Sequence, residues 1–293
     1  MNSTVAAVVV AFKNGNDLAE CYIRLCAIAE IRHIVIVDNS YWEVGSCLTY
    51  AGINAIDVRT IHAVPDGNLG YAGGNNFGID VAKRAGAECV LVCNPDVLIE
   101  AETVTSLLSE METRSLDLIS PRLLENDPIG GVTLLSNPGW DAYLGKGVID
   151  IPASRFASRY IPTFYGACFL ATTRLWDHLG GLSEDFFLYG EEIDYTMRIN
   201  RSSFRWAVSE CSVVAHARGS SISPGRNGKS LVAFFHAARS AVIVGRKYWP
   251  AAVVWWTAVR LVFAGYLALR RRPSESRAVV RGLMQGVRSP LTS

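Results

Sequence analysis

Residues 88–97 read Glu-Cys-Val-Leu-Val-Cys-Asn-Pro-Asp-Val, an apolar run that ends in a turn carrying a carboxylate. Such a run predicts a strand buried on both faces, as in a parallel sheet covered by helices. Asp96 follows the carboxyl end of this strand, where open α/β sheets bind their ligands, and could hold a divalent cation there. Asn-Pro-Asp is also an ordinary turn sequence, so both interpretations stand at this point.

The same strand-and-turn pattern fills the first third of the chain. The predicted strands span residues 5–12, 33–37, 56–63 and 88–93, and the predicted helices span about 18–26 and 77–85. This alternation predicts βαβ units in a mostly parallel, doubly wound sheet with helices on both faces. Right-handed crossovers bring the strand-end turns to one edge, so Asp38 should lie at the same edge as Asp96.

The second half of the chain is less regular. Prolines, glycines and asparagines between about residues 120 and 162 predict irregular or substrate-facing structure. Beyond it, strands are predicted at 165–171, 204–208 and 212–215, and helices at about 174–179, 193–200 and 231–248. We find no internal repeat and no low-complexity segment.

Composition and charge limit the expected partners and the expected location of the chain. A formal net charge of +1 gives no general electrostatic case for binding nucleic acid. Seven cysteines without metal-ligand spacing read as small buried residues in a reducing compartment. The amino terminus has no basic region before its short apolar run, so a cytoplasmic location is expected. Oligomeric state leaves no signal in the sequence.

The last third combines apolar and basic residues. Residues 251–269 form an apolar run interrupted only by Arg260 and followed by three arginines. A membrane-spanning helix needs about 20 apolar residues, and an arginine at its centre is expensive in lipid. Paired tryptophans and flanking arginines suit a helix that lies in the membrane interface, which we favour. A helix packed on the domain is the alternative.

The segment 66–76 is rich in glycine and asparagine and precedes a predicted helix. Its spacing differs from G-x-G-x-x-G and it follows the third strand, which argues against a dinucleotide-binding dehydrogenase. Glycines before a helix let backbone N–H groups approach a phosphate. A glycine-rich entry needed only for packing is an equally open interpretation.

Further acidic and histidine side chains are candidates for chemistry. Glu191, Glu192 and Asp194 could supply a general base, or could simply stabilise the start of a helix. His216 follows a predicted strand and could be a metal or phosphate contact, although a lone histidine is more often structural.

Taken in order, these segments resemble the inverting GT-A glycosyltransferases of family 2, especially their bacterial rhamnosyltransferase-like branch. The resemblance is carried by residues 8–14, 37–40, 68–76, 93–97, 180–194 and His216. It covers about residues 5–221 and implies a GT-A fold. The implied organisation is a catalytic domain over 1–225, with a nucleotide-binding half of about 1–120 and an acceptor-binding half of about 121–225. Residues 226–293 would be a helical, membrane-associating extension.

The resemblance also implies roles for individual residues. Asp96 would bind Mg²⁺ or Mn²⁺ at the diphosphate, His216 would be a second metal or diphosphate contact, and Glu192 would be the base, with Glu191 and Asp194 beside it. This sequence has Glu192 where the family usually has aspartate, and Asn94 where it has a carboxylate. The nucleotide sugar would be bound by Ala11, Phe12, Asn14, Asp38, Asn68, Gly70, Gly73, Asn76 and Asn94.

The implied activity is transfer of a sugar from a dTDP- or UDP-sugar to a lipid-linked or growing bacterial surface glycan. dTDP-L-rhamnose is the leading donor, and a UDP-hexose or UDP-galactofuranose is the alternative. The enzyme would sit on the inner face of the cell membrane. A nucleotidyltransferase predicts a basic, glycine-rich loop after the first strand, which residues 12–16 lack. A nucleotide-sugar-binding subunit with weak or no activity is the remaining rival.

Overall fold

The computed structural model describes residues 3–126, 132–151, 159–216 and 230–291. The chain divides into two compact units, which we call the sheet unit and the helical unit. The sheet unit comprises Met1–Ser136, Phe164–Leu182 and Thr196–Ser221, and the helical unit comprises Asn137–Thr163, Ser183–Tyr195 and Ile222–Ser293. The predicted boundary at residue 225 stays a prediction.

The described elements alternate between strand and helix through the first part of the chain. The strands are β1 Val5–Ala11, β2 Ile31–Asp38, β3 Thr60–Ala63, β4 Cys89–Cys93, β5 Val97–Leu98, β6 Leu118–Asn126, β7 Val132–Leu135, β8 Gly139–Asp141, β9 Lys146–Val148, β10 Tyr160–Pro162, β11 Cys168–Thr172 and β12 Trp206–His216. The helices are α1 Asn16–Ala27, α2 Tyr41–Val44, α3 Cys47–Tyr50, α4 Gly70–Arg84, α5 Ala101–Arg114, α6 Thr173–Leu179, α7 Glu191–Ile199, α8 Leu231–Tyr248, α9 Val253–Leu269 and α10 Pro273–Arg288.

The sheet unit is built on a mixed sheet of nine strands. Eight follow the order β3-β2-β1-β4-β11-β6-β12-β5, and β7 pairs with β6. The four strands β3, β2, β1 and β4 are parallel to one another, which confirms the predicted βαβ half. β11 joins antiparallel to both β4 and β6, so the second half of the sheet is mixed.

Alternate residues of β1 pack against helices on opposite faces of the sheet. Ala7 and Val9 belong to the buried core that includes Leu18 and Tyr22 of α1. Val8 faces α4, because a Cβ placed on Gly78 would lie 2.5 Å from its Cγ1. The period of two in a strand produces this division, and it confirms helices on both faces.

Several sequence-based predictions of elements need correction. α4 begins at Gly70, not near residue 77, so most of the glycine-rich segment is helical. The segment from 120 to 162, predicted to be irregular, contains β6 to β10, although 127–131 and 152–158 lie outside the described residues. The third strand begins at Thr60. The two strands predicted at 204–215 form one strand, β12, with a register shift between Val208 and Val213.

The helical unit contains a three-stranded antiparallel sheet, ordered β10-β8-β9, and the helices α8, α9 and α10. Gly282 and Gly286 bring α10 against α8, since a Cβ on either would lie within 2.7 Å of a carbonyl oxygen of α8. A small apolar core joins the three helices. It comprises Ala238, Val242, Ala264, Leu267, Val279 and Leu283.

Candidate functional site

The turn after β4 places the Asp96 carboxylate beside His216. β5 follows Asp96 directly and pairs antiparallel with the end of β12, so that Val97 stands opposite His216. Asp96 Oδ1 lies 3.4 Å from His216 Nε2. The other ring nitrogen, Nδ1, lies 3.1 Å from Glu125 Oε1 on β6. The imidazole is therefore fixed between two buried carboxylates.

Those carboxylates determine the charge of His216. Burial acts to lower the pKa of His216, but the nearby carboxylates of Asp96 and Glu125 outweigh it and raise the pKa to about 9. Without a bound cation, the ring is a cation at neutral pH.

Asp96 Oδ1 is buried and has no hydrogen-bond partner among the described residues. A buried carboxylate oxygen in this state is costly, and native proteins usually compensate it with a ligand, an ion or a water molecule. Mg²⁺ and Mn²⁺ need few protein carboxylates and complete their shells with phosphate oxygens and water. Asp96 fits such a cation, and His216 Nε2 beside it would become a ligand only by losing its proton.

Asp38 ends β2 at the same edge of the sheet, but its oxygens are already occupied. Oδ1 accepts hydrogen bonds from the Ser40 backbone N–H and hydroxyl at 3.2 and 3.3 Å. Oδ2 accepts from the Cys47 N–H at 2.6 Å and hydrogen-bonds His62 Nε2 at 3.1 Å. A carboxylate has about four lone-pair sites, and these four contacts fill them. Burial acts to raise the pKa of Asp38, but the hydrogen bonds outweigh it and lower the pKa.

The same residues include a possible metal-ligand group. Asp38, Cys47 and His62 form the only group of three His, Cys, Asp or Glu ligands within metal reach that we find in the described part of the chain. Burial and the Asp38 charge raise the pKa of the Cys47 thiol, which disfavours the thiolate that metal binding needs. The hydrogen bonds of Asp38 also compete with a metal ion.

Asn39, next to Asp38, joins the ends of β1, β2 and α4. Its backbone N–H donates to Ala11 O at 2.9 Å, and its Nδ2 donates to Gly70 O at 2.9 Å. Its side-chain Oδ1 is buried and accepts no hydrogen bond from the described residues. Asn39 was not predicted as a site residue, although it lies inside the segment that carries the resemblance.

The predicted nucleotide-binding residues at the end of β1 form a tight turn. Asn14 Oδ1 accepts a hydrogen bond from the Phe12 N–H at 2.6 Å, and Lys13 adopts a left-handed φ of 57°. The Lys13 N–H donates to the Ser40 hydroxyl at 3.3 Å, so this turn is tied to the turn after β2. Ala11 pairs with Asp38 in the sheet.

The glycine-rich segment serves packing as well as any ligand. Asn68 Oδ1 accepts from the Gly70 N–H at 2.9 Å and so closes the start of α4. A Cβ on Gly74 would lie 2.8 Å from Val10 Cγ1, and only glycine lets α4 approach the sheet this closely. Gly73 is buried between these positions.

Asn76 and Asn94 make backbone contacts. The Asn76 amide forms two hydrogen bonds of 2.8 Å with the backbone N–H and C=O of Leu182, which fixes the turn after α6. The Asn94 N–H donates to Ala167 O at 2.8 Å, and the Asn94 carbonyl accepts from the Val97 N–H at 3.1 Å. These bonds hold the Asn-Pro-Asp turn in shape.

In the helical unit, α7 begins with the predicted acids. Glu191 is only 2% exposed and its Oε2 has no hydrogen-bond partner among the described residues, whereas Glu192 is partly exposed. Burial and the charge of Glu192 raise the pKa of Glu191 well above its usual value, and burial raises the pKa of Glu192. Asp194 is fully buried and accepts a hydrogen bond from the Tyr248 hydroxyl at 2.8 Å.

The structure thus groups some of the predicted residues and adds others. Asp96 lies beside His216, and Ala11, Asn14 and Asp38 share one pair of linked turns. Glu125 and Tyr248 were not predicted. Glu125 lies on a strand that the broken sequence pattern concealed, and nothing in the local sequence around Tyr248 indicates its contact with Asp194.

No family model matches the chain. It is 29% identical over 219 residues to the low-salt glycan biosynthesis hexosyltransferase Agl10 of Haloferax volcanii, over 73% of this chain and 66% of that protein. It is also 22% identical over 157 residues to an uncharacterized protein of Mycobacterium tuberculosis, covering 53% of this chain and 56% of the relative. The chain therefore spans less than two thirds of the length of these relatives.

Solved structures match over nearly the whole chain. GalNAc-T7, in a crystal structure with UDP, GalNAc and Mn²⁺, gives a TM-score of 0.62 at 12% identity over 98% of this chain and 56% of that chain. Residues 1–349 of S. aureus TarS give 0.55 at 13% identity, over 97% of this chain and 81% of that chain. At these identities the likeness concerns the fold alone. The chain has a GT-A-like α/β fold, as the sequence predicted.

Proposed function

We propose that this chain is an inverting, metal-dependent glycosyltransferase that moves a sugar from a nucleotide sugar to a hydroxyl of a glycan. The observation that carries the proposal is the buried Asp96 oxygen beside His216 at the ligand-binding edge of a GT-A-like sheet. The hexosyltransferase relative from Haloferax volcanii supports the reaction class. S. aureus TarS has been solved with UDP-GlcNAc and with UDP, which supports a nucleotide-sugar donor.

The donor side of the proposed reaction belongs to the sheet unit. Ala11, Phe12 and Asn14 would line the base and ribose, and Asp38 would shape this pocket through its hydrogen bonds to the following turn. Asn39 Oδ1 would accept a hydrogen bond from the nucleotide, since it is buried without a partner in the described residues. The start of α4 and the Asn94 turn would close the pocket, through Asn68, Gly70, Gly73, Asn76 and Asn94.

Asp96 and His216 would hold Mg²⁺ or Mn²⁺. Such an ion would supply positive charge against the diphosphate of the donor. Glu125 would fix the orientation of the His216 ring through Nδ1.

The acceptor side depends on the acids of α7. Glu192 would remove the proton of the acceptor hydroxyl, and the oxygen would attack the anomeric carbon as the bond from sugar to diphosphate breaks. The proton stays on Glu192, the nucleoside diphosphate leaves with the electron pair, and the configuration inverts. Glu192 is favoured over Glu191 because it is the more exposed of the two. Its raised pKa makes it a better base than an ordinary glutamate.

dTDP-L-rhamnose remains the leading donor, with a UDP-hexose or UDP-galactofuranose as the alternative. The proposed acceptor is a lipid-linked or growing bacterial surface glycan. A binding subunit with weak or no activity is the alternative of another class, and Asn94 and Glu192, which depart from the family pattern, are the observations that favour it.

We also propose that α9 lies on the inner face of the cell membrane. Among the described residues, Pro250–Leu269 is the one helix long and apolar enough, by length and composition, to cross a membrane. One side of α9 packs inward through Trp256, Ala264 and Leu267. Arg260 also turns to the protein, donating to the carbonyl oxygens of Leu144 and Gly145.

The other side of α9 exposes a continuous apolar surface. Its largest exposed side chains are Val254, Trp255, Leu261, Val262, Tyr266 and Leu269. Exposed arginines follow at positions 270, 271, 277, 281 and 288, and Glu275 is the single acid in residues 250–291. An apolar face with an aromatic pair and neighbouring cations suits an anionic lipid surface.

A thermal-shift screen tests the donor proposal. UDP and dTDP, each with and without Mn²⁺, are added to the wild-type chain and to Asp96→Asn. We expect Mn²⁺-dependent stabilisation by at least one nucleoside diphosphate, absent from the variant. Lack of stabilisation by every nucleoside diphosphate would overturn the proposal. Nucleotide binding without any transfer or hydrolysis of the matching sugar nucleotides would support the binding-subunit alternative.

Sedimentation with lipid vesicles tests the membrane proposal. Val262, 74% exposed on α9, is changed to Asp, and Val58, 98% exposed in the sheet unit, is changed to Asp as the matched control. Val262→Asp should weaken binding to vesicles containing anionic lipid about tenfold or more, because a buried valine is worth about 1.5 kcal/mol. Val58→Asp should bind like wild type. Equal vesicle binding by both variants would refute the proposal that the exposed face of α9 binds the membrane.

A further inference from the structure

The acidic turn of the helical unit, residues 183–194, contacts Lys247 of α8 at both of its ends. Lys247 Nζ donates to Asp185 Oδ2 at 2.9 Å and to the Ser183 hydroxyl at 3.0 Å, and it lies 3.1 Å from Asp194 Oδ1. An ammonium group has three protons, and here it has three oxygen partners. Lys247 thereby joins the beginning and the end of the turn at a single point.

Three more side chains of α8 contact the same turn. Tyr248 donates its hydroxyl to Asp194 Oδ1 at 2.8 Å, next to Lys247. Ser240 donates to Leu188 O at 3.1 Å, and Arg239 donates to Asp185 O at 2.6 Å. α8 therefore binds the turn at both ends and in the middle.

The backbone of the turn is also fitted to α8. Tyr189 and Gly190 have φ values of 67° and 97°, in the left-handed region that favours glycine. A Cβ on Gly190 would lie 3.0 Å from the Phe186 ring and 3.3 Å from Ser240 Cβ. This pair directly precedes Glu191, and Ser240 of α8 lies close to Gly190, so α8 contacts the chain at the point where α7 begins.

We infer that Lys247 is a positioning residue for the general base, and that α8 is part of the catalytic apparatus as well as of the membrane-associating extension. This inference rests on the proposed function. Lys247 and Tyr248 fix Asp194, which leaves Asp194 as a support and Glu192 as the base. Tyr189 and Glu191 are the titratable groups whose pKa values respond to the charge of Glu192. The other charged and titratable groups at the contact of the turn with α8 are Asp185, Asp194, Arg239, Lys247 and Tyr248.

Removing the ammonium should release the turn and change the charge around the base. With Lys247→Met, the carboxylates of Asp185 and Asp194 lose the ammonium that they share, and only Arg239 remains beside Asp185. The added negative charge near the start of α7 should raise the pKa of Glu192 further. Glu192 must be ionised to accept a proton. The acid limb of the kcat profile should therefore move to higher pH.

Hydrogen exchange of the full chain tests the structural part without any substrate. Lys247→Met is compared with Lys247→Arg, which keeps the charge, and with Arg246→Met. Arg246 is the neighbouring cation of α8, but it donates to the carbonyl oxygens of Gly286 and Ser289. Amides of residues 194–198, which form the first hydrogen-bonded turn of α7, should exchange about tenfold faster or more in Lys247→Met alone, because Lys247 holds Asp194 at the start of this helix. If Arg246→Met accelerates hydrogen exchange of the same amides equally, the effect is not specific to Lys247 and the inference is wrong.

Kinetics tests the catalytic part. In Lys247→Met, kcat should fall about 100-fold with little change in donor KM, and its acid limb should move up by about one pH unit. Lys247→Arg should restore part of kcat and the original profile. Unchanged kcat and pH profile in an active Lys247→Met protein would refute the positioning role. If the wild-type protein shows no sugar transfer but hydrogen exchange responds as expected, the structural role of Lys247 is confirmed and the proposed function is wrong.

Discussion

Two buried aspartates follow strands of the same parallel half-sheet, and the structure treats them in opposite ways. Asp38 has its lone pairs filled by Ser40, Cys47 and His62. Asp96 Oδ1 has no hydrogen bond among the described residues and lies beside His216. Both are acids paired with a histidine after a strand. The difference teaches that burial of an acid alone does not distinguish the two, whereas the number of hydrogen bonds that its oxygens already accept does.

The largest expected effect separates the two aspartates by activity. Asp96→Asn should lower transfer by about 1000-fold or more, because the charge that holds the cation is lost and such ions stabilise the transition state by several kcal/mol. Product formation from the donor found in the thermal-shift screen is the measurement. Asp38→Asn, compared at equal folded concentration, should retain most activity. Equal losses would erase the distinction between the two sites.

The free energy of unfolding should be affected in the reverse order, more by Asp38→Asn than by Asp96→Asn. Asp38→Asn should lower the free energy of unfolding by about 2–4 kcal/mol, because an amide cannot accept the hydrogen bonds of a carboxylate at both oxygens. Asp96→Asn should lower it by less than Asp38→Asn does, because it removes only the charge attraction to the His216 ring, which Glu125 still contacts, and no hydrogen bond to Oδ1. Urea unfolding followed by circular dichroism measures both. A larger loss in Asp96→Asn would contradict the comparison.

The acid side of the pH range offers a smaller effect. The pKa of Asp38 is lower in the folded chain than its usual value, so Asp38 stabilises the fold above its unfolded pKa of about 3.9. That contribution is lost as the pH falls through the lowered folded pKa. Asp38→Asn should therefore lose less stability than wild type over this acid range. The measurement is the urea midpoint of unfolding, taken from pH 5 down to the pH at which the chain unfolds without urea. Asp96→Asn is the control, and its midpoint should change with pH as that of wild type does.

The smallest effect concerns the metal. Because Asp38 is already saturated, the Asp38, Cys47 and His62 group should contribute nothing to Mn²⁺ binding with nucleotide. Cys47→Ser should leave the Mn²⁺-dependent rise in melting temperature unchanged, whereas Asp96→Asn should abolish it. If Cys47→Ser loses the Mn²⁺-dependent rise in melting temperature, the cation binds near Asp38 and the assignment to Asp96 is wrong.

The sequence was most informative where local pattern and tertiary structure agree. The apolar runs identified β1, β2 and β4, and the spacing in 231–248 matched α8 at both ends. The start of α4 was missed because glycines normally weaken a helix. Here Gly74 and Gly78 are required by the side chains of Val10 and Val8, which come from a different part of the chain.

The candidate site could be predicted only in part from the sequence, because it also depends on contacts between residues that are distant along the chain. Asp96 and His216 could be selected because each follows a strand. Whether an oxygen is filled or unfilled depends on groups such as Cys47, His62 and Glu125, which are distant in sequence. β11 enters the sheet antiparallel between β4 and β6, and its apolar run contains no signal of direction.

The pairing of β5 with β12 has a consequence for synthesis of the chain. Asp96 and His216 meet only when a strand made early finds one made much later, which is a contact of high sequence separation. In the folded sheet, β11 and β6 lie between β4 and β12. A growing polypeptide on the ribosome therefore has its turns at Asp38 and Asp96 long before it has this pair. A nascent chain that has not yet made β12 therefore lacks the histidine partner of Asp96.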